Sequence, residues 1–204
     1  MNKPSVEKTI SSLKKKGYAV SYFSSAPEAA DYLDAAIDKK TVGFGDSETI
    51  LRLGLFHRLN EHNTVFDPMH REGAEPFSEV AKKSVSADIF LTSVNAIAET
   101  GEMVNIDGRG NRVAGSIYGH EKVFFILGVN KIEPTLDRAI ARARNVAAPL
   151  NAKRHGYRTP CAGKADRCYD CASPERICCG MMVYLHKMRF MEMEVVIIDE
   201  SLGL

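Results

Sequence analysis

The sequence predicts an α/β protein whose open, mostly parallel sheet is flanked by helices. Helical and strand patterns alternate along the 204-residue chain, as they do in βαβ units. Residues 88–93 and 122–129 are nearly continuous in apolar side chains, which is typical of strands covered on both faces. With 45% apolar residues, a chain of this length can bury one sizeable core. A single domain over residues 1–204 is therefore predicted.

The individual elements follow from the spacing of apolar side chains. Apolar residues that recur every three or four positions predict helices, and short runs rich in β-branched and aromatic residues predict strands. In chain order we expect helix 6–13, strand 18–23, helix 26–37, strand 41–44, helix 51–59, strand 65–66, helix 76–85, strand 88–93, strand 122–129, helix 134–148, and strands 181–186 and 194–199.

Charge and hydropathy exclude several classes of protein. The 27 basic residues nearly balance the 26 acidic ones, so the electrostatic pattern of a nucleic-acid-binding protein is missing. The N-terminus lacks the apolar core of a signal peptide, and no stretch approaches the roughly 18 apolar residues of a membrane span. We expect a cytoplasmic protein with no nucleic-acid or membrane partner. Whether it forms a homo-oligomer is left open.

The most informative feature is the placement of the five cysteines, which all fall between Cys161 and Cys179. Core packing does not explain such crowding, and clustered thiols in a reducing compartment more often bind metals or do redox chemistry than form disulfides. Four thiolates suit an iron–sulfur cluster of the [4Fe–4S] type or a closed zinc site. Zinc sites commonly use two close-spaced pairs and only one Cys-x2-Cys pair is present, so the cluster is favoured. A metal-free thiol or disulfide switch is the third alternative. The predicted ligands in this cysteine-rich segment, residues 151–180, are Cys161, Cys168, Cys171 and Cys178, with Cys179 as a spare or substitute.

The charges around these cysteines support a metal centre. Residues 151–178 carry six basic side chains against three acidic ones, which would lower thiol pKa values and stabilise an anionic cluster. The six histidines of the chain show no metal-ligand spacing and are interpreted as ordinary surface or packing residues.

A glycine-containing turn at residues 42–49 is a candidate anion site. The predicted strand breaks there into a helix, glycines allow close approach of a ligand, and a helix N-terminus favours negative charge. The spacing matches neither a phosphate-binding P-loop nor a dinucleotide fingerprint. An ordinary turn capped by Asp46 or Ser47 is the alternative. The candidate ligand-binding residues are Gly43, Gly45, Ser47 and Thr49.

A second candidate segment, residues 95–108, is polar and punctuated by glycines. It follows the carboxyl end of a buried strand, where open α/β sheets bind ligands. Asn95 and Thr100 are therefore candidates for polar recognition and Glu99 for acid/base catalysis. The alternative is that Glu99 is one of many solvated loop carboxylates.

Four segments together resemble the lactate-utilisation (LUD) domain family: residues 43–47, 87–101, 122–131 and 195–203. The resemblance implies a fold similar to ribose-5-phosphate isomerase, glucosamine-6-phosphate deaminase and the CoA transferases. In those relatives the first glycine-rich turn binds phosphate or carboxylate and a later acidic segment carries catalysis. By position, this implies that the first turn holds an anion and that Asn95, Glu99 and Thr100 face it.

The cysteine segment is where the chain departs from that family. Members of one kind end in a ferredoxin-like module, and others lack cysteine clusters altogether. The segment is therefore interpreted as a cysteine-rich insertion near the C-terminus.

Three functions follow as hypotheses. The favoured one is an accessory redox protein of lactate or related organic-acid utilisation, which binds an iron–sulfur cluster and a small anionic metabolite and exchanges electrons with a redox partner protein. The second is an isomerase or CoA-transferase-like enzyme in which Glu99 does the chemistry and zinc is structural. The third is a non-catalytic binding subunit.

Overall fold

A computed structural model describes residues 5–71, 73 and 75–204. The helices are α1 (Val6–Lys15), α2 (Ala26–Ala36), α3 (Glu48–Leu53), α4 (Leu55–Asn60), α5 (Phe77–Ser84), α6 (Asn111–Ile117), α7 (Leu136–Arg142), α8 (Ala148–Arg154) and α9 (Pro160–Lys164), with a 3₁₀ turn at Val129–Lys131 and a π-helical turn at Ala143–Ala147. The strands are β1 (Ala19–Phe23), β2 (Thr41–Phe44), β3 (Thr64–Phe66), β4 (Ile89–Thr92), β5 (Ala96–Ala98), β6 (Met103–Asp107), β7 (Lys122–Gly128), β8 (Ile132–Glu133), β9 (Gly180–Tyr184) and β10 (Glu192–Ile198).

Six of these strands form a parallel sheet in the order β1-β10-β7-β4-β2-β3. This confirms the predicted α/β class with a mostly parallel sheet. After β2 the chain adds β3 on one side and then β4 on the other side, so the winding direction changes between β2 and β4. Ligand crevices of open α/β sheets lie at such a switch point, outside the carboxyl ends of the strands.

Both faces of the main sheet are covered. On one face α2, α3 and α4 pack against alternate strand residues, including Phe124 and Val196. On the other face the neighbouring residues Phe125 and Val195 pack with Leu13 of α1 and with the second sheet. Because side chains alternate across a strand, strands covered on both faces need mainly apolar residues, as the sequences of β4 and β7 show.

The second sheet has the order β8-β5-β6-β9 and is mostly antiparallel. It contains residues 95–108, among which Asn95, Glu99 and Thr100 are the predicted ligand-facing residues. The two strands of this segment, β5 and β6, are buried along their whole length, and the ligand-facing role of the three residues stays a prediction. Ile97 faces the main sheet, whereas Ala96 and Ala98 face α7. Because both faces of this hairpin are buried, its two strands consist mostly of apolar residues.

Two predicted helices differ from the observed ones. Helix 51–59 is split into α3 and α4 at Gly54, whose left-handed backbone (φ +64°) ends the first helix. Helix 134–148 extends to Arg154 as α7, the π-helical turn and α8. Pro149 lacks the N–H that a regular helix needs, and the wider turn before it, closed by a bond from the Ala148 N–H to the Ala143 carbonyl, accommodates this residue.

The cysteine-rich segment joins α8 to β9 and contains a single short helix, α9. Its status as an insertion, the single-domain boundaries 1–204 and the kinship with CoA transferases and ribose-5-phosphate isomerase stay predictions. Within the described ranges, no helix is both long enough and apolar enough to cross a membrane.

Candidate functional site

All five cysteines line one cavity of about 220 Å³, here named the cysteine cavity. Its other walls are Ile106 of β6 and the helix that runs through the π-helical turn into α8. All five thiols are free, and Cys179 is the most exposed of them. The structure thus brings the four predicted ligands together with the spare one. The helical wall consists of Arg144, Ala148, Pro149 and Ala152.

Two of the sulfur atoms receive polar contacts from the surrounding chain. The Asp170 N–H donates to Cys168 Sγ at 3.4 Å, and the Thr159 hydroxyl lies 3.2 Å from Cys161 Sγ. The Arg144 guanidinium lies 3.9 Å from Cys168 Sγ. Contacts of this kind stabilise a thiolate more than a thiol, because N–H and guanidinium groups are donors.

Arg176 holds the cysteine loop in place. Its Nη1 donates to the Cys171 carbonyl at 2.8 Å and its Nε to the Cys178 carbonyl at 3.1 Å, while Nη2 pairs with Asp170 at 3.1 Å. One planar guanidinium therefore joins two of the predicted ligand residues, as its fork of donors permits.

Burial raises the pKa of the Cys178 thiol, and the neighbouring Cys168 and Cys171 raise it further, against the opposing charge of Arg176. Negative charge on several thiols at once is thus unfavourable without a cation. In the described part of the chain, no three His, Cys, Asp or Glu side chains already converge closely enough to hold a metal ion. The thiols share a cavity but do not meet at one point.

A second cavity of about 240 Å³, here named the polar crevice, adjoins the first. Asp46 and Asn95, which follow β2 and β4, place it at the switch point of the main sheet. Its remaining polar lining comes from the end of β6, the start of α6, the end of α8 and the cysteine-rich segment: Asp107, Arg109, Asn111, Arg112, Asn151, His155, Tyr157, Glu175 and Arg176. The polar crevice and the cysteine cavity share four lining residues, Ile106, Ala148, Arg176 and Ile177. A single layer of side chains thus separates the two cavities.

The glycines of the predicted anion turn have different surroundings. A Cβ on Gly43 would lie 2.0 Å from the Ser84 carbonyl oxygen, so this glycine allows α5 to pack on β2. Gly45 packs against Thr92 and Arg112. Ser47, Thr49 and Asn95 line a small cavity of about 30 Å³ that also borders Asp46 and Arg112 of the polar crevice. These three residues are the part of the predicted ligand set that the structure brings together, and their binding role stays a prediction.

Glu99 and Thr100 point toward other partners. The Glu99 carboxylate accepts hydrogen bonds from Lys8 Nζ at 2.8 Å and from the Ser5 N–H at 2.9 Å, at the start of α1. The lysine, and then the Ser5 amide, hold the pKa of Glu99 below its usual range. Thr100 donates to Glu102, which pairs with Lys16, the residue that follows α1. A carboxylate stabilised in this way is a weak proton acceptor, and the catalytic role of Glu99 stays a prediction.

Sequence reasoning missed Lys131, which lies at the end of the 3₁₀ turn that follows β7. It is only 3% exposed, and its ammonium donates to Thr49 Oγ1 at 2.9 Å, Ser93 Oγ at 3.0 Å and the Val94 carbonyl at 3.1 Å. Burial, reinforced by Arg142 and Arg112, lowers the pKa of Lys131 to about 7. A lysine in a polar turn is normally exposed, so the sequence offers no signal beyond its position after a buried strand.

The lowered pKa of Lys131 predicts a specific pH dependence of stability. The unfolded chain keeps this proton up to the ordinary pKa of 10.5, whereas the folded chain loses it near 7. Between these values the unfolded state binds more protons, so the free energy of unfolding rises with pH. From pH 7 to pH 9 we expect wild type to gain roughly 2 kcal/mol more than Lys131→Met, measured by urea unfolding. Equal gains in the two proteins would contradict the assignment.

These observations define an α/β protein with a polar crevice at the switch point of its sheet and a cysteine cavity beside it. The LUD domain family model matches residues 6–198, and the chain belongs to this family. A solved structure described as a DUF162 family protein from Deinococcus radiodurans has a similar fold, with a TM-score of 0.55, 13% identity and 95% coverage of both chains. No curated protein matches the chain significantly. The resemblance seen in the sequence is thus confirmed.

Proposed function

We propose that this chain is an accessory redox protein of lactate or related organic-acid utilisation. It holds an iron–sulfur cluster, with [4Fe–4S] favoured, in the cysteine cavity and binds a small anionic metabolite in the polar crevice. Membership of the LUD domain family suggests the role in lactate utilisation. The observation that carries the redox part is that five free thiols line a cavity which shares a wall with the polar crevice.

The size of the cysteine cavity supports a cluster over a single zinc ion. Four thiolates at about 2.3 Å from one zinc ion close around it and leave little void. The cavity of about 220 Å³ is several times the roughly 30 Å³ share of one water molecule. It therefore has room for a group of several atoms. A mononuclear zinc site would require the loop to contract.

The residues around the cavity fit an anionic group. Cys161, Cys168, Cys171 and Cys178 are the proposed ligands, and a cluster bound to them supplies one-electron transfer. Arg144 and Arg176 offset its negative charge, and the Asp170 N–H bonded to Cys168 Sγ removes electron density from that sulfur. Hydrogen bonds to sulfur and nearby cations both favour the reduced form. Cys179, which donates to the Arg176 carbonyl, is the spare thiol.

The polar crevice fits a small hydroxy acid or its oxidised form. Arg109 and Arg112 supply positive charge, and Asn151 adds an amide. One carboxylate oxygen of Asp46 is buried and has no hydrogen-bond partner in the described residues, although Arg154 lies 3.6 Å away. A ligand hydroxyl can donate to this oxygen while the ligand carboxylate pairs with the arginines. The side of the cysteine cavity exposed to solvent, near Cys179 and Met181, is the proposed approach for a redox partner protein.

Metal analysis of the wild-type protein tests this proposal. After anaerobic purification we expect about four irons per chain with matching sulfide, visible absorbance, and an electron paramagnetic resonance signal on reduction. Reconstitution with iron and sulfide covers the case in which the cluster is lost during purification. Stoichiometric zinc without iron, or no iron uptake after reconstitution, would show that the centre is structural or absent. Both results would leave the isomerase-like enzyme and the binding subunit as the remaining functions.

A further inference from the structure

We propose that Ser47, His70 and Asp67 form a second site, independent of any metal, that transfers acyl groups from small esters or thioesters. The site lies in a separate cavity of about 240 Å³ beside the ends of β2 and β3, here named the histidine cavity. It uses none of the cysteines and does not depend on the proposed redox function.

The parallel pairing of β2 with β3 brings the three residues to one place. Gly43 lies opposite Phe66 in this pair. Both strands then leave the sheet at the same edge, and Ser47 and His70 each follow that opposed pair by four residues. This edge is where parallel sheets carry their ligand sites.

His70 and Asp67 are arranged as a base and its orienting acid. The imidazole Nδ1 lies 2.6 Å from Asp67 Oδ2, and the other carboxylate oxygen accepts the Met69 N–H at 2.8 Å. The Asp67 side chain is 3% exposed, so its charge is shielded from water. A carboxylate at Nδ1 keeps the proton on that nitrogen, which leaves Nε2 as the proton acceptor. The ring is held flat against Phe56, with centroids 4.3 Å apart and planes 11° apart.

Ser47 supplies the nucleophile. It occupies the position before α3, where a serine hydroxyl normally accepts a backbone N–H, yet here it makes no such bond. It lines the histidine cavity together with His70 and Asp67. The rest of the lining is largely apolar and suits a short acyl chain: Phe44, Ile50, Leu51, Leu55, Phe56 and Met69.

The reaction balances with water as the second substrate. His70 Nε2 takes the Ser47 hydroxyl proton while Oγ forms a bond to the acyl carbon. The carbon–oxygen or carbon–sulfur bond to the leaving group then breaks, and the leaving group takes the proton from His70. Water repeats the sequence, with His70 as the base again, and releases the acid. Ser47 and His70 are not hydrogen-bonded to each other, and catalytic contacts of this kind often close only with substrate bound.

Labelling with a fluorophosphonate, which phosphonylates activated serines and releases fluoride, tests the site. We expect one adduct per folded chain, mapped to Ser47 by mass spectrometry and absent in Ser47→Ala. His70→Asn should slow labelling about 100-fold, since a general base contributes 10²–10⁴-fold. His186→Asn is the control and should label at the wild-type rate, because His186 is exposed and does not line the histidine cavity.

Three outcomes would overturn the proposal: no adduct on folded wild type, an adduct on another serine, or Ser47 labelling that His70→Asn leaves unchanged. Circular dichroism verifies that each variant is folded. His70 is replaced rather than Asp67, because replacing a partly exposed side chain disturbs the fold less than replacing a buried one. Labelling is carried out on metal-free and iron-reconstituted protein. Its rate reports on this site alone, whereas iron content reports on the cysteine cavity, so the two proposals fail separately.

Discussion

Replacing Gly43 by alanine is expected to lower the free energy of unfolding by about 3 kcal/mol. The new Cβ would lie 2.0 Å from the Ser84 carbonyl oxygen and 2.7 Å from its carbon. These are backbone atoms at the end of α5, so no rotamer change relieves the overlap and α5 must move away from β2. Urea unfolding of both proteins measures the loss.

Gly163→Ala is the matched control for this substitution. Gly163 lies within α9, and a Cβ there would meet nothing within 4 Å. Since alanine favours a helix over glycine by up to about 1 kcal/mol, this variant should be as stable as wild type or slightly more so. If Gly43→Ala kept full stability but lost affinity for a small anion, Gly43 would be a ligand-contacting glycine, as the sequence pattern predicts, and the packing explanation would be wrong.

Replacing Cys171 by serine is expected to abolish stable binding of the proposed iron–sulfur cluster. The cysteine lines the cavity, and its carbonyl is fixed by Arg176, so the loop keeps its shape while one thiolate ligand is lost. Serine is a poor replacement because these clusters are held by thiolates. Iron and sulfide content after anaerobic reconstitution is the measurement.

Cys179→Ser provides the comparison, because Cys179 is the exposed spare thiol and should keep wild-type iron content. Both metal-free variants should unfold within about 1 kcal/mol of metal-free wild type, since neither side chain belongs to the buried core. Equal iron in Cys171→Ser and wild type would remove Cys171 from the ligand set. If Cys179→Ser lost its iron and Cys171→Ser did not, Cys179 would replace Cys171 in the ligand set.

The elements of the main sheet were predictable because their patterns are local. A run such as residues 122–128 has no polar position in its interior, which a strand covered on both faces requires. The hairpin of β5 and β6 was not predictable in the same way. Its apolar residues are separated by Glu99 and Glu102, whose charges are neutralised by Lys8 of α1 and by Lys16 just after this helix, both far away in sequence.

The same distinction between local sequence patterns and contacts between distant segments applies to the candidate site. The cysteines were found from the sequence because five thiols in one segment are rare and share one chemistry. The polar crevice was predicted only in part: Asn95 was identified, but Arg112 and Asn151 reach the crevice from other elements. The sequence shows no metal-ligand spacing around His70, although its partner Asp67 lies only three residues before it.

The sequence by itself therefore determined the α/β class, the family and the segment that carries the thiols, because periodicity and residue type are local properties of the chain. Only the tertiary structure decided that the cysteine cavity shares a wall with the polar crevice and that Lys131 is buried between Thr49 and Ser93. Those relations depend on how parallel strands align their carboxyl ends and how helices close over them. The same alignment places Ser47 beside the histidine cavity, four residues after a glycine that is needed for packing.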